Sequence, residues 1–179
     1  NVTFVLDVSS SMRQADKIEL MKFTLYDMVA MLRPQDEISL VTYANDARVI
    51  LKPTPCNDKT KATETVEKLK ASGMTAGGAG IKLGYKQNKK GFIEGGVNHI
   101  IVITDGAFNR NSDDYLGYVK RFKKKGINLS IVGVKNKEKD AIEMTEAAEK
   151  GGGRYVPIHK LADAKNNLKQ EIRLISFRF

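Results

Sequence analysis

Two nearly unbroken aliphatic runs, Ile100-Ile-Val-Ile103 and Leu129-Ser-Ile-Val132, most constrain what this chain can fold into. Side chains on a strand alternate between its two faces, so a strand that is apolar at every position must be covered on both. Such strands belong inside a sheet flanked by helices. The rest of the chain agrees. Strand-like segments are Val2–Asp7, Glu37–Tyr43, Arg48–Lys52, His99–Thr104, Asn128–Val134 and Gly153–Pro157.

Helical patterns fill most of the intervals. The first is expected from Asp16, which with Glu19 has the spacing of a capping box. Ile18, Met21, Leu25, Met28 and Leu32 recur every three or four residues and form one apolar stripe, stopped at Pro34. Further helices are expected over 59–71, 79–88, from Ser112 as N-cap to Gly126, over 138–150, and over 161–175. In the last, Leu161, Ala164, Leu168, Ile172 and Ile175 share one face. Only four residues, Ala44-Asn-Asp-Ala47, separate the second and third strands, too few for a crossover helix. These two strands therefore form a hairpin. The expected fold is α/β: a Rossmann-like, doubly wound, mainly parallel six-stranded sheet with one antiparallel edge strand and helices on both faces.

The 179 residues suit one domain spanning 1–179, with no internal repeat or interdomain linker. Because the first residue already lies at a strand edge, the domain is expected to be part of a longer protein and monomeric in isolation. No apolar run approaches the roughly 20 residues of a membrane span. The net charge of +9 raises the possibility of a nucleic-acid-associated basic domain. However, the densest cluster, Lys120-Arg121-Phe122-Lys123-Lys124-Lys125, falls at a helix C-terminus, where cations complement the dipole. No aromatic platform interleaves it, so nucleic acid is not the expected partner. The single cysteine, Cys56, reads as a loop thiol, and His99 and His159 as structural residues.

In a doubly wound sheet, ligands bind beyond the carboxyl ends of the strands. The first strand ends in Asp7-Val-Ser9-Ser-Ser11, and the aliphatic run from Ile100 ends in Thr104-Asp105-Gly106. Thr75 lies on the loop Ser72-Gly-Met-Thr-Ala-Gly-Gly-Ala-Gly80, before the third helix. Three segments thus direct Asp7, Ser9, Ser11, Thr75 and Asp105 to one edge. All are hard oxygen donors, which suit Mg2+ or Mn2+ rather than zinc. The glycines at 77, 78 and 80 lack the Lys-Ser/Thr ending of a phosphate loop and are expected to let the loop approach the metal. Asp113 and Asp114 fit a helix N-terminus, and Met12, Met74 and Phe108 are candidates for an apolar rim.

The order Asp7-x-Ser9-x-Ser11, then Thr75, then Asp105-Gly106 resembles the metal-ion-dependent adhesion site of a von Willebrand factor type A domain, particularly bacterial members. The resemblance covers essentially the whole chain. It implies that Ser9 and Ser11 bind the cation directly and Thr75 directly or through water. Asp7 and Asp105 would hold the bound waters and hydroxyls from outside. A cation so little neutralised could accept an Asp or Glu carboxylate from a partner protein. The implied role is a divalent-cation-dependent adhesion or assembly module, with Mg2+ (or Mn2+ or Ca2+) as the ion. The resemblance further suggests a position outside the cytoplasm, periplasmic or at the cell surface, with a cytoplasmic role the alternative, and a final helix that shifts when the site is occupied. A metal-dependent hydrolase is the competing class. It would need a general base beside the metal, and neither histidine lies in the motif loops, so the chain is not expected to be an enzyme.

Overall fold

The computed structural model describes residues 1–106, 108 and 114–176, excepting the side chains of 165, 168, 169, 171 and 174–176. The expected Ser112 cap and Asp113 therefore lie outside the described residues. Six strands form one sheet: β1 (Val2–Asp7), β2 (Glu37–Tyr43), β3 (Ala47–Pro55), β4 (Asn98–Thr104), β5 (Ile127–Val134) and β6 (Gly152–Ile158), in the order β3-β2-β1-β4-β5-β6. All neighbours pair in parallel except β2 and β3, which form the hairpin. The expected fold class holds. Edge strand β3 is longer than the expected 48–52 and includes Pro53 and Pro55, which an edge strand tolerates because one side needs no ladder donors.

The helices are α1 (Lys17–Met31), α2 (Thr60–Glu67), α3 (Gly77–Lys90), α4 (Tyr115–Lys123), α5 (Glu138–Lys150) and α6 (Leu161–Ser176). On one face of the sheet, Met21, Leu25 and Met28 of α1, Val66 of α2 and Ala164 and Ile172 of α6 pack with Phe4, Leu6, Ile101 and Ile103. On the other, Ile81 and Tyr85 of α3, Val119 and Phe122 of α4 and Met144 and Ala147 of α5 pack with Val5, Val41, Ile100 and Val102. The consecutive aliphatics of β4 are thus divided between two cores, which is why that run has no polar face. In α6, Leu161 is exposed rather than part of the buried stripe, and the side chains of Leu168 and Ile175 lie outside the described residues.

Local details differ from expectation in three places. Asp16 precedes α1 with φ 56° and makes no capping hydrogen bond, so the capping box does not form; a cap needs extended backbone. Asp114 caps α4, its Oδ1 accepting from the Gly117 amide at 2.7 Å. Cys56 is buried in the core rather than lying on an open loop, and burial pushes its thiol up to about 11. His99, expected to be structural, is buried, with Nε2 2.9 Å from Ser130 Oγ.

The chain winds β1 to β3 toward one edge, then returns to place β4 on the other side of β1. The crevice beyond the carboxyl ends of β1 and β4 is therefore the topological switch point.

Candidate functional site

Strand register sets the base of the site. Leu6 pairs with Ile103 and Asp7 with Tyr43, so Asp7, Tyr43 and Thr104 come off three adjacent parallel strands side by side. Asp7 is fully buried. Its Oδ1 accepts from the Ser9 amide (2.9 Å); its Oδ2 accepts from Tyr43 OH (3.2 Å) and Thr104 Oγ1 (2.8 Å). Burial, above all, raises the Asp7 carboxyl above its ordinary value; the Ser9 and Thr104 hydrogen bonds oppose that shift. Burial, followed by the Asp7 charge, holds the Tyr43 phenol well above its ordinary value, so it stays a donor at neutral pH.

From Asp7 the oxygens continue toward solvent. Ser9 Oγ lies 3.1 Å from Ser11 Oγ, and Ser11 Oγ donates to Asp105 Oδ1 at 2.9 Å. Lys17, the first residue of α1, donates from Nζ to Asp105 Oδ2 at 2.7 Å. Both side chains of that ion pair are largely buried, with 14% and 6% exposure. A 3₁₀ turn, Ser10–Asp16, leads into α1, and Ala15 (φ 50°) and Asp16 (φ 56°) adopt consecutive left-handed conformations. Such conformations cost L-residues about 1–2 kcal/mol each. Lys135 braces this segment, donating from Nζ to the Ala15 carbonyl at 2.7 Å.

The Thr75 loop is fixed from both sides by backbone groups. Ser10 donates through its amide (2.9 Å) and hydroxyl (2.7 Å) to the Gly73 carbonyl, and Ser72 N donates to Val8 O (2.7 Å). Met74 N donates to Asn45 Oδ1 (2.8 Å) and Ala76 N to Ala44 O (2.8 Å). Gly73 has φ 84°, a conformation glycine adopts without strain. Half-buried Thr75 therefore stands on a loop spanning the Ser9–Ser11 turn and the β2–β3 hairpin.

Of the five expected residues, Asp7, Ser9, Ser11 and Asp105 belong to one hydrogen-bonded group, and Thr75 occupies the adjoining loop. Among the described residues, no group of three or more His, Cys, Asp or Glu could hold a metal. Any cation site here is accordingly built with hydroxyls as well as its two carboxylates. That oxygen set is of the type that suits a hard divalent ion, whereas Lys17 already pairs its positive charge with Asp105.

Three participants were missed from sequence. Tyr43 and Thr104 are ordinary strand residues there, and only register brings them to Asp7. Lys17 did leave a signal: a cation in the first turn of a helix opposes the dipole and calls for a local anion. The apolar rim is corrected. Met12 and Phe108 are buried, whereas Met74 is 76% exposed. Gly77 and Gly80 lie in the first turn of α3 and allow close packing; a Cβ on Gly77 would lie 3.0 Å from the Phe108 ring, and one on Gly80 would overlap the Tyr43 ring.

Residues 1–171 match the von Willebrand factor type A domain. The chain is 38% identical over 176 residues to the uncharacterized protein YfbK of Escherichia coli, covering 97% of this chain and 31% of that protein. It thus spans about a third of that relative's length. The BatB protein of Bacteroides thetaiotaomicron, a conserved hypothetical protein, superimposes with a TM-score of 0.82 at 25% identity, covering 98% of each chain. An aerotolerance-related membrane protein from Bacteroides fragilis superimposes with a TM-score of 0.76 at 22% identity, covering 97% of this chain and 98% of that one. The strand order, the switch-point crevice and the match over nearly the full length agree: the chain belongs to the von Willebrand factor type A domain family.

Proposed function

We propose that this chain is a divalent-cation-dependent protein-binding module, with Mg2+ (or Mn2+ or Ca2+) held by Asp7, Ser9, Ser11, Thr75 and Asp105. The observation that carries this reading is the hydrogen-bonded group at the switch point, in which buried Asp7 accepts from the Ser9 amide and the Ser9 and Ser11 hydroxyls lead on to Asp105. Domains of this family are commonly protein-interaction modules. Ser9, Ser11 and Thr75 would offer neutral oxygens to the ion. Asp7, held by the Ser9 amide, Tyr43 and Thr104, would orient the Ser9 turn, and Asp105 would orient Ser11. When bound, the cation would supply a positive centre for an Asp or Glu carboxylate of the partner. Exposed Met74, beside Thr75, would give that partner an apolar contact.

The competing hydrolase reading would require a general base beside the ion. The His99 ring is packed between β4 and β5 against Ser130, and His159 is exposed in the turn between β6 and α6.

The test is retention of partner protein on immobilised domain in Mg2+, with release by chelator. Retention indifferent to chelator would overturn the reading. Thr75→Ala is expected to weaken retention more than it lowers the thermal midpoint, because backbone hydrogen bonds hold the loop on both sides. Equal loss of stability and retention would count against the assignment.

The periplasmic or cell-surface location suggested by bacterial members of the family belongs to the same proposal. No helix among the described residues is long and apolar enough to cross a membrane. Protease digestion of the full-length protein in intact spheroplasts should reach the domain; complete protection there would place it inside.

A further inference from the structure

We infer that Lys17 is a built-in competitor for the cation: its ammonium and the divalent ion are alternative counter-charges for Asp105. The inference rests on the metal reading above and adds how occupancy of that site is set.

The geometry separates this ion pair from the others described. Lys22–Glu19, Arg33–Asp36, Arg48–Asp46 and Lys150–Glu146 each join residues two to four apart in sequence, and in each at least one side chain is more than a quarter exposed. Lys17–Asp105 joins residues 88 apart, with both side chains largely buried. Partial desolvation strengthens such a pair, and water substitutes poorly for either partner.

Local backbone evidence points the same way. Lys17 begins α1, where the helix dipole disfavours a cation. Two consecutive left-handed residues, Ala15 and Asp16, precede it, and Lys135 braces the Ala15 carbonyl. Both unfavourable features persist at the approach to Lys17, which places its ammonium against the carboxylate that also accepts from Ser11. Strain of this kind clusters at functional positions.

The charge count then fixes the behaviour. Asp7, Asp105 and Lys17 together carry one net negative charge when all are ionised. A divalent ion near Asp105 must either displace the ammonium or bind beside it against like-charge repulsion. Both routes weaken the ion's affinity. The site would therefore fill only above a threshold cation concentration, and filling would loosen Lys17 from Asp105.

Lys17→Met retains most of the aliphatic stem and removes the charge. Calorimetric titration with Mg2+ and Mn2+ is expected to show binding about tenfold tighter than wild type, the ratio corresponding to one charge-assisted hydrogen bond of about 1.4 kcal/mol. Lys22→Met, which removes the same charge from the same helix away from Asp105, should leave affinity within about twofold. In chelator, Lys17→Met should melt below wild type, because Asp105 loses its partner; saturating Mg2+ should raise its midpoint more than that of wild type.

A second readout keeps the wild-type protein intact. Amine labelling at Lys17, followed by peptide mass spectrometry, should be slow in chelator and accelerate with Mg2+. Equal or weaker binding by Lys17→Met, or labelling indifferent to Mg2+ in a protein that binds it, overturns Lys17 as competitor while leaving the metal site standing. Absence of binding heat in wild type, Lys17→Met and Lys22→Met alike removes the metal reading and this inference with it.

Discussion

Asp7→Ala is expected to abolish the calorimetric signal for Mg2+ and Mn2+ that the proposed site should give in the native domain. Asp7 anchors the base of the hydrogen-bonded group, and the Ser9 amide is held by the hydrogen bond it donates to that carboxylate. The same substitution should also destabilise the fold. It leaves the Ser9 amide and the buried Tyr43 hydroxyl without their acceptor, whereas Thr104 keeps the Gly106 carbonyl at 3.0 Å. A buried donor left unsatisfied costs about 1–3 kcal/mol, offset in part by removal of a buried charge. A net loss of about 2 kcal/mol corresponds to about 4–8 °C for a chain of this size.

Asp7→Asn separates the two effects, since its amide oxygen can still accept from Ser9. It should melt near wild type yet bind no cation. If Asp7→Asn titrates like wild type, the carboxylate has no part in metal binding and the site assignment fails. The pH dependence has a definite sign. Burial raises the folded-state pKa of Asp7, so this group's contribution to stability is fully present below the ordinary carboxylate value of 3.8 and is lost as pH rises through the raised folded value. In chelator, wild type should therefore gain on Asp7→Asn as pH falls from neutral. Cation affinity should move the other way and weaken on acidification, because protons and the ion compete for the same carboxylate. Paired melts and titrations across pH check both signs.

Gly80→Val should produce the largest loss of stability among the substitutions considered. Gly80 lies in the first turn of α3, facing the Tyr43 ring so closely that even one added carbon overlaps it. The ring cannot yield: Tyr43 is fully buried and its hydroxyl is bonded to Asp7. Overpacking of this kind costs about 1–3 kcal/mol or more. The upper figure corresponds to about 6–12 °C in the thermal midpoint. Ala79→Val, on the exposed side of the same turn, is the control and should cost only about 0.5 kcal/mol in helix propensity. Gly80→Val should also weaken cation binding, since displacing Tyr43 disturbs the Asp7 carboxylate. Similar melting of the two variants would show that the α3–sheet contact has more slack than the distances imply.

Several features were legible in the residues alone. The runs Ile100–Ile103 and Leu129–Val132 require a strand covered on both faces, and the short Ala44–Ala47 connection requires a hairpin at one edge. The sheet followed, because hydrophobic periodicity reports which faces are buried whatever the eventual neighbours. Asp7, Ser9, Ser11 and Asp105 were likewise readable, because residues at the carboxyl ends of adjacent parallel strands share one crevice. Helix starts were less legible. The Asp16–Glu19 spacing suggested a cap, but the left-handed backbone at Asp16, set by the tight turn after Ser11, prevents one.

The sequence by itself determined the layers, the carboxyl ends of β1, β2, β4 and β5, and the oxygen-bearing residues at that edge, because these follow from periodicity and residue type. Only the tertiary structure decided that Tyr43 and Thr104 hold Asp7, that the glycines of α3 make room for Tyr43, and that Lys17 rests on Asp105. Each of these depends on a contact between residues 36 to 97 positions apart. Strand register and helix docking fix such contacts, and no local pattern of side chains encodes them.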